Sequence, residues 1–136
     1  MKHEQVILMQ PPSKSNTYRI VKMGGHASLA KTKAMKEYED NFYLQCGAYR
    51  NKKIDGFFEL YLDVYFHSNL PDLDNALKVV LDCLQSCKAI KNDRQCVKIV
   101  ANKFIDKNNP RIEFTLREVN GVEEKNSKIP ELFDEQ

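Results

Sequence analysis

Leu70-Pro71-Asp72-Leu73-Asp74-Asn75-Ala76-Leu77-Lys78-Val79-Val80-Leu81-Asp82 packs three aspartates and one lysine into the point where an extended segment turns into a helix. Leu70 precedes a proline, which pushes it toward extended geometry. If Asp72 and Asp74 finish that extended stretch, its two-residue period sets both carboxylates on one face. Asp74 or Asn75 then caps a helix running over about residues 74–87. Lys78 follows Asp74 by four residues and Asp82 follows Lys78 by four, so one helical stripe reads acid, base, acid. The opposite stripe, Ala76, Leu77, Val80, Leu81 and Leu84, is apolar and predicts a core-facing side.

Immediately upstream, Phe57–Phe66 alternates strictly. Phe58, Leu60, Leu62, Val64 and Phe66 fall on one side and Phe57, Glu59, Tyr61, Asp63 and Tyr65 on the other, which predicts a long strand with one apolar face. Downstream, Lys88–Asp93 reads as a loop carrying a third carboxylate, Asp93. Cys96–Ile105 and Arg111–Val119 then read as two strands of a hairpin joined through Asp106–Pro110. Nearer the N-terminus, Glu4–Met9 predicts a strand stopped by Pro11-Pro12, and its unbroken apolar run predicts burial on both faces. The polar segment Pro11–Arg19 offers Lys14, Asn16, Tyr18 and Arg19 as exposed groups. Ile20–Met23 and Ala27–Leu29 form a short hairpin around Gly24-Gly25. From Leu29 to Arg50, Ala30, Ala34, Met35, Tyr38, Phe42, Leu44 and Tyr49 recur at helical steps. Lys31, Lys33 and Lys36 stand early in that helix and oppose its dipole, which suits either an anionic ligand or a solvated face. The element order is β, hairpin, α, β, α, β, β: an α+β fold with a mixed or antiparallel sheet on two main helices.

The 136 residues are 42% hydrophobic and 29% charged, which is ordinary for one globular domain. We expect that domain over residues 1–119, followed by an acidic, mobile tail, 120–136, whose Ile129, Leu132 and Phe133 are free to dock on a partner. No apolar run approaches the roughly 20 residues that span a bilayer. Met1–Gln5 lacks the apolar core of a signal peptide, so a cytoplasmic protein without membrane attachment is expected. Cys46, Cys83, Cys87 and Cys96 form no CxxC pair and fit reduced, buried thiols better than a zinc site. Residues 1–53 carry ten Lys/Arg against four Asp/Glu, and residues 54–136 carry eleven against fifteen. A basic first part and an acidic cluster in the second suit a polyanionic substrate meeting a cation site, although solvated surfaces show the same asymmetry.

An Asp-x-Asp pair is a hard-oxygen site suited to Mg²⁺ or Mn²⁺. Asp93 adds a third ligand, and three clustered carboxylates need a cation or a raised pKa to stay together. With a metal and a phosphodiester alongside, Lys78 can stabilise charge on the phosphate, which makes a metal-dependent phosphodiesterase. The same pattern also occurs in plain helix caps and in sugar- or nucleotidyl-transferases. Asp82 reads as a surface partner of Lys78 or as support.

The block Asp72-Leu-Asp74-Asn75-x-x-Lys78-x-x-x-Asp82-x-Leu84, followed by Asp93 and the strand pair, resembles the RusA family of Holliday-junction resolvases. Pro11-Pro12-Ser13, the Asn16 and Tyr18-Arg19 after it, and the aromatic Tyr38 are similar too, so the resemblance covers about residues 5–118. It implies that Asp72, Asp74 and Asp93 are metal-binding and catalytic, and that Lys78 is an essential lysine. It also implies a Mg²⁺-dependent homodimer, with Mn²⁺ able to substitute, that nicks two opposed strands of a four-way DNA junction in recombination and repair, associated with the nucleoid when acting. A two-fold dimer offers two equivalent sites, which matches two paired cuts. Lys14, Asn16, Arg19, Lys22, Lys31 and Lys33, with Lys91 and Arg94 beside Asp93, are the expected DNA contacts. A module that binds branched DNA without cutting it is the competing reading, and a transferase lacks the Gly-rich segment it would need.

Overall fold

The computed structural model describes residues 2–129. Its elements are β1 (Gln5–Leu8), β2 (Tyr18–Met23), β3 (His26–Lys31), α1 (Lys33–Gln45), β4 (Phe57–Phe66), α2 (Leu73–Ser86), β5 (Cys96–Ile105) and β6 (Arg111–Val119). Short 3-10 turns cover Lys14–Asn16 and Asp93–Gln95. The main sheet has the order β1-β6-β4-β5, and β2 and β3 form a separate two-stranded ribbon. The protein is α+β, with a mixed sheet and two helices.

The alternation in β4 does what its polarity dictates. Phe58, Leu60, Leu62, Val64 and Phe66 are buried beside Ile112, Phe114 and Leu116 of β6 and Ile7 of β1. Met35, Tyr38 and Phe42 of α1 and Ala76, Val79, Val80, Cys83 and Leu84 of α2 close this layer from the other side. Each of the Val, Leu, Ile, Phe and Met side chains among them contributes roughly 1.5–3 kcal/mol by burial. The second face of the sheet carries half-buried polar and aromatic groups. There His3 Nε2 lies 2.9 Å from Asp63 Oδ2, and Asn102 Nδ2 donates to Asp63 Oδ1 at 3.0 Å.

The structure corrects four expectations. Val6 and Leu8 are exposed, because β1 is an edge strand and only its Gln5 and Ile7 face meets the helices. Leu29–Lys31 belongs to β3, and α1 begins only after Thr32, whose hydroxyl accepts from the Met35 N–H at 3.1 Å. Helix α1 then ends at Gln45, so Tyr49 is a buried residue of the following turn and Leu44 is exposed. The largest correction concerns β5 and β6, which are not paired with each other. Strand β5 runs parallel to β4 on one side and β6 runs antiparallel to it on the other. The connection 106–110 crosses the end of β4, where Asp106 N–H donates to Phe66 O at 2.8 Å. A parallel pair needs a long crossover, and α2 supplies it.

Beyond Val119, residues 120–129 form neither helix nor strand, and Leu132 and Phe133 lie outside the described residues. No helix among the described residues is long and apolar enough to cross a membrane. Cys46, Cys83 and Cys87 are buried free thiols, and Cys96 is partly covered.

Candidate active site

Helix α2 starts one turn's fraction earlier than its acidic composition suggests, with Asp72 rather than Asp74 or Asn75 as N-cap. Asp72 is extended (φ −93°, ψ 137°), and its side chain makes no capping hydrogen bond. The first turn therefore receives no side-chain cap from Asp72, and the Asp72 carboxylate stays uncommitted. Asp74 sits in that same turn, where the helix dipole favours a negative charge. So the two carboxylates are neighbours through a strand-to-helix junction and not through the two-residue period of a strand.

Asp72, Asp74, Lys78 and Asp82 line one cavity of about 340 Å³, together with Lys14 and Tyr18. A second cleft of about 510 Å³ adjoins it and shares Lys14, Asp72 and Asn75, so the two make a continuous groove past the start of α2. The four-residue stripe of acid, base and acid is real. Asp82, however, is engaged by Tyr18, whose hydroxyl donates to Asp82 Oδ2 at 3.0 Å. Burial, and then this carboxylate, push the Tyr18 phenol up to about 12, so it remains a donor. Asp82 thus ties β2 to α2, while Asp72, Asp74 and Lys78 are free of ion pairs among the described residues.

Two further side chains shape the groove. Asn75 Nδ2 donates to Pro12 O at 3.1 Å, which docks the Pro11-Pro12-Ser13 segment on α2. Lys103, in β5, donates to Pro71 O at 2.6 Å and to Asn69 O at 2.9 Å, and its ammonium stands 5.6 Å from the centre of the Phe66 ring. It therefore holds the peptide that delivers Asp72. Nothing in the sequence singles Lys103 out from other strand lysines. Asn75 stands in the sequence as a candidate cap and as part of the Asp72–Leu84 block, but its bond to Pro12 has no sequence signal.

Asp93 is placed elsewhere. Its N–H donates to Gln85 Oε1 at 2.6 Å near the C-terminal end of α2. Gln85 is eleven residues beyond Asp74, which is about 16 Å of helical rise. The parallel register agrees, since Cys96 pairs with Phe58 at the start of β4, whereas Asp72 follows the end of that strand. Among the described residues of one chain, no three His, Cys, Asp or Glu side chains converge as a ligand set. Asp72 and Asp74 nonetheless fit Mg²⁺, which takes one or two carboxylates and completes its octahedron with waters and substrate phosphate oxygens.

A family model described as endodeoxyribonuclease RusA matches residues 9–117 of the 136. The chain belongs to the RusA family. It is an endodeoxyribonuclease, and membership implies nuclease activity on Holliday junctions. No curated protein matches the chain. The expected DNA contacts of this RusA chain divide by place. Lys14 lines both clefts of the groove. Arg19 and Lys22 are exposed on β2, and Lys33 is exposed at the start of α1. Lys31 is tied to Glu39 at 2.8 Å, and the Asn16 carbonyl accepts from the Thr32 hydroxyl. Lys91 lies 3.5 Å from Asp55 and, with exposed Arg94, accompanies Asp93 at the far end of α2.

Proposed function

We propose that this protein resolves four-way DNA junctions by paired, symmetric, Mg²⁺-dependent nicks during recombination and repair, with Mn²⁺ able to substitute. The observation that carries this reading is the groove at the start of α2, where the Asp72 and Asp74 carboxylates stand uncommitted beside Lys78 and Lys14. Asp72 and Asp74 would hold the metal. When bound, the metal supplies Lewis-acid polarisation of the phosphoryl oxygen and a water of lowered pKa. Lys78, one turn along α2 from Asp74, stabilises charge building on the scissile phosphate. Lys14, across the cavity, positions the backbone of the same strand.

The working unit in this reading is a homodimer. Within one chain Asp93 stands at the opposite end of α2 from Asp74, so it joins an Asp72–Asp74 pair from a second copy. A two-fold axis then gives two equivalent sites for two opposed strands. The purified protein, given a synthetic four-way junction and Mg²⁺, is expected to leave nicks at symmetric positions on one pair of strands and to leave linear duplex intact. Without a divalent ion it is expected to bind and not cut. Tight junction binding with no product at any Mg²⁺ or Mn²⁺ concentration would overturn this reading in favour of a binding module.

A further inference from the structure

The ribbon of β2 and β3 is joined to no strand of the main sheet. It turns at Gly24-Gly25, both at positive φ (59° and 83°), as a two-residue hairpin loop of the primed type requires. Its register pairs Tyr18 with Lys31, Ile20 with Leu29 and Lys22 with Ala27. Strand alternation puts these six side chains on one face. The base of that face is anchored to the body of the molecule. Tyr18 donates to Asp82 on α2 at 3.0 Å, and Lys31 reaches Glu39 on α1 at 2.8 Å. One step outward, about 7 Å from Tyr18, the Ile20–Leu29 pair is 73% and 71% exposed. Met23, beside the turn, is equally bare at 73%.

Scattered apolar residues on a surface need no explanation, but a bare cross-strand aliphatic pair midway along an anchored ribbon, one step from its anchored base, marks a contact. Charge identifies the partner. Residues 5–36 carry six Lys/Arg and no Asp or Glu, so the ribbon stands in a purely basic stretch of chain. A second copy meeting it ribbon to ribbon would bring the same positive surface against it and be repelled. The partner is therefore a polyanion that also presents apolar surface, which describes DNA where base stacking is interrupted. Tyr18 lines the cavity of Asp72, Asp74 and Lys78, so Ile20 stands two residues from the candidate catalytic cavity on the same face.

Resting on the junction-cutting reading above, we propose that Ile20 and Leu29 form a wedge that enters the branch point and separates the base pair there. Arg19 and Lys22 grip the flanking phosphates, and the strand freed by the wedge passes along Tyr18 into the groove at Asp72. Insertion of Ile, Leu or Met between base steps is a general means of opening or kinking a duplex, and at a branch point one side of the stack is already missing.

The test uses the full chain and a four-way junction carrying 2-aminopurine in a branch-point pair. Wild type, without divalent ion, is expected to raise the fluorescence on binding. The double variant Ile20→Ser, Leu29→Ser is expected to bind within about threefold of wild type, because phosphate contacts supply the affinity. It should give no fluorescence rise and cut the paired junction at least about tenfold more slowly, yet cut a junction with unpaired branch-point bases at the wild-type rate. The variant Ile20→Val, Leu29→Ile should restore opening and cutting. A serine variant that opens and cuts the paired junction like wild type overturns the wedge. So does one that loses self-association in sedimentation, since the pair would then be a subunit contact. If wild type opens the junction but cuts none, the junction-cutting reading fails while the wedge stands.

Discussion

At the scale of single residues, Lys103 has the most to say about how the site is held. Its ammonium donates to two carbonyls of the loop before Asp72, those of Asn69 and Pro71. Gln10 holds the start of the same loop by accepting the His67 N–H at 2.8 Å. A hydrogen bond from a charged donor contributes about 1.5–3 kcal/mol, so losing both frees the peptide that sets the Asp72 carboxylate. Lys103→Met keeps a stem over Phe66 and removes the donors. We expect its half-saturating Mg²⁺ concentration for junction cutting to rise about tenfold and kcat to fall, with KM for the junction little changed, since a loosened ligand weakens metal binding before it weakens phosphate contacts. Lys103→Arg should recover most of the loss. If only the melting temperature falls while the Mg²⁺ dependence stays at wild type, Lys103 supports the fold and does not position the site.

At the scale of elements, what could be read was what repeats. The period of two in β4 and the four-residue steps Asp74, Lys78, Asp82 on α2 survive folding unchanged, because each reflects one element facing one core. The Gly24-Gly25 turn was equally plain. Pairing between elements was not. Five residues link β5 to β6, a length that suits a hairpin, and strand periodicity does not say which strand lies alongside. The turn instead crosses the end of β4, where the Asp106 carboxylate accepts the Asn108 and Asn109 N–H groups at 3.2 Å and an Arg111 N–H at 2.9 Å. Misjudging that pairing also hides the place of Asp93, since a parallel β4–α2–β5 crossover sends the chain to the opposite end of the sheet before Asp93 appears. The helical reading of Leu29–Lys31 failed for a related reason: Ala30 and Ala34 have helical spacing, but Thr32 caps α1 and stops it from extending back.

At the scale of the whole molecule, the separation of Asp93 from Asp72 and Asp74 bears on how many chains make one site. If Asp93 acts across a two-fold axis, an equimolar mixture of Asp74→Asn and Asp93→Asn proteins, each inactive alone, regains nicking of one strand, because one of the two composite sites in the mixed dimer is intact. No recovery in subunit-exchanged mixtures would mean that Asp93 works within its own chain, and an Asp93→Asn protein that cuts alone would mean that it has no part in the site. The groove at the start of α2 is the claim on which everything else rests, and it is tested most directly by measuring junction binding and Mg²⁺-dependent cutting side by side for Asp74→Asn. Losing a metal ligand removes several kcal/mol of transition-state stabilisation, and about 3 kcal/mol is already more than a hundredfold in rate. We predict wild-type affinity for the four-way junction, or tighter, with cutting reduced at least about a hundredfold; cutting at the wild-type rate would contradict the assignment of the site.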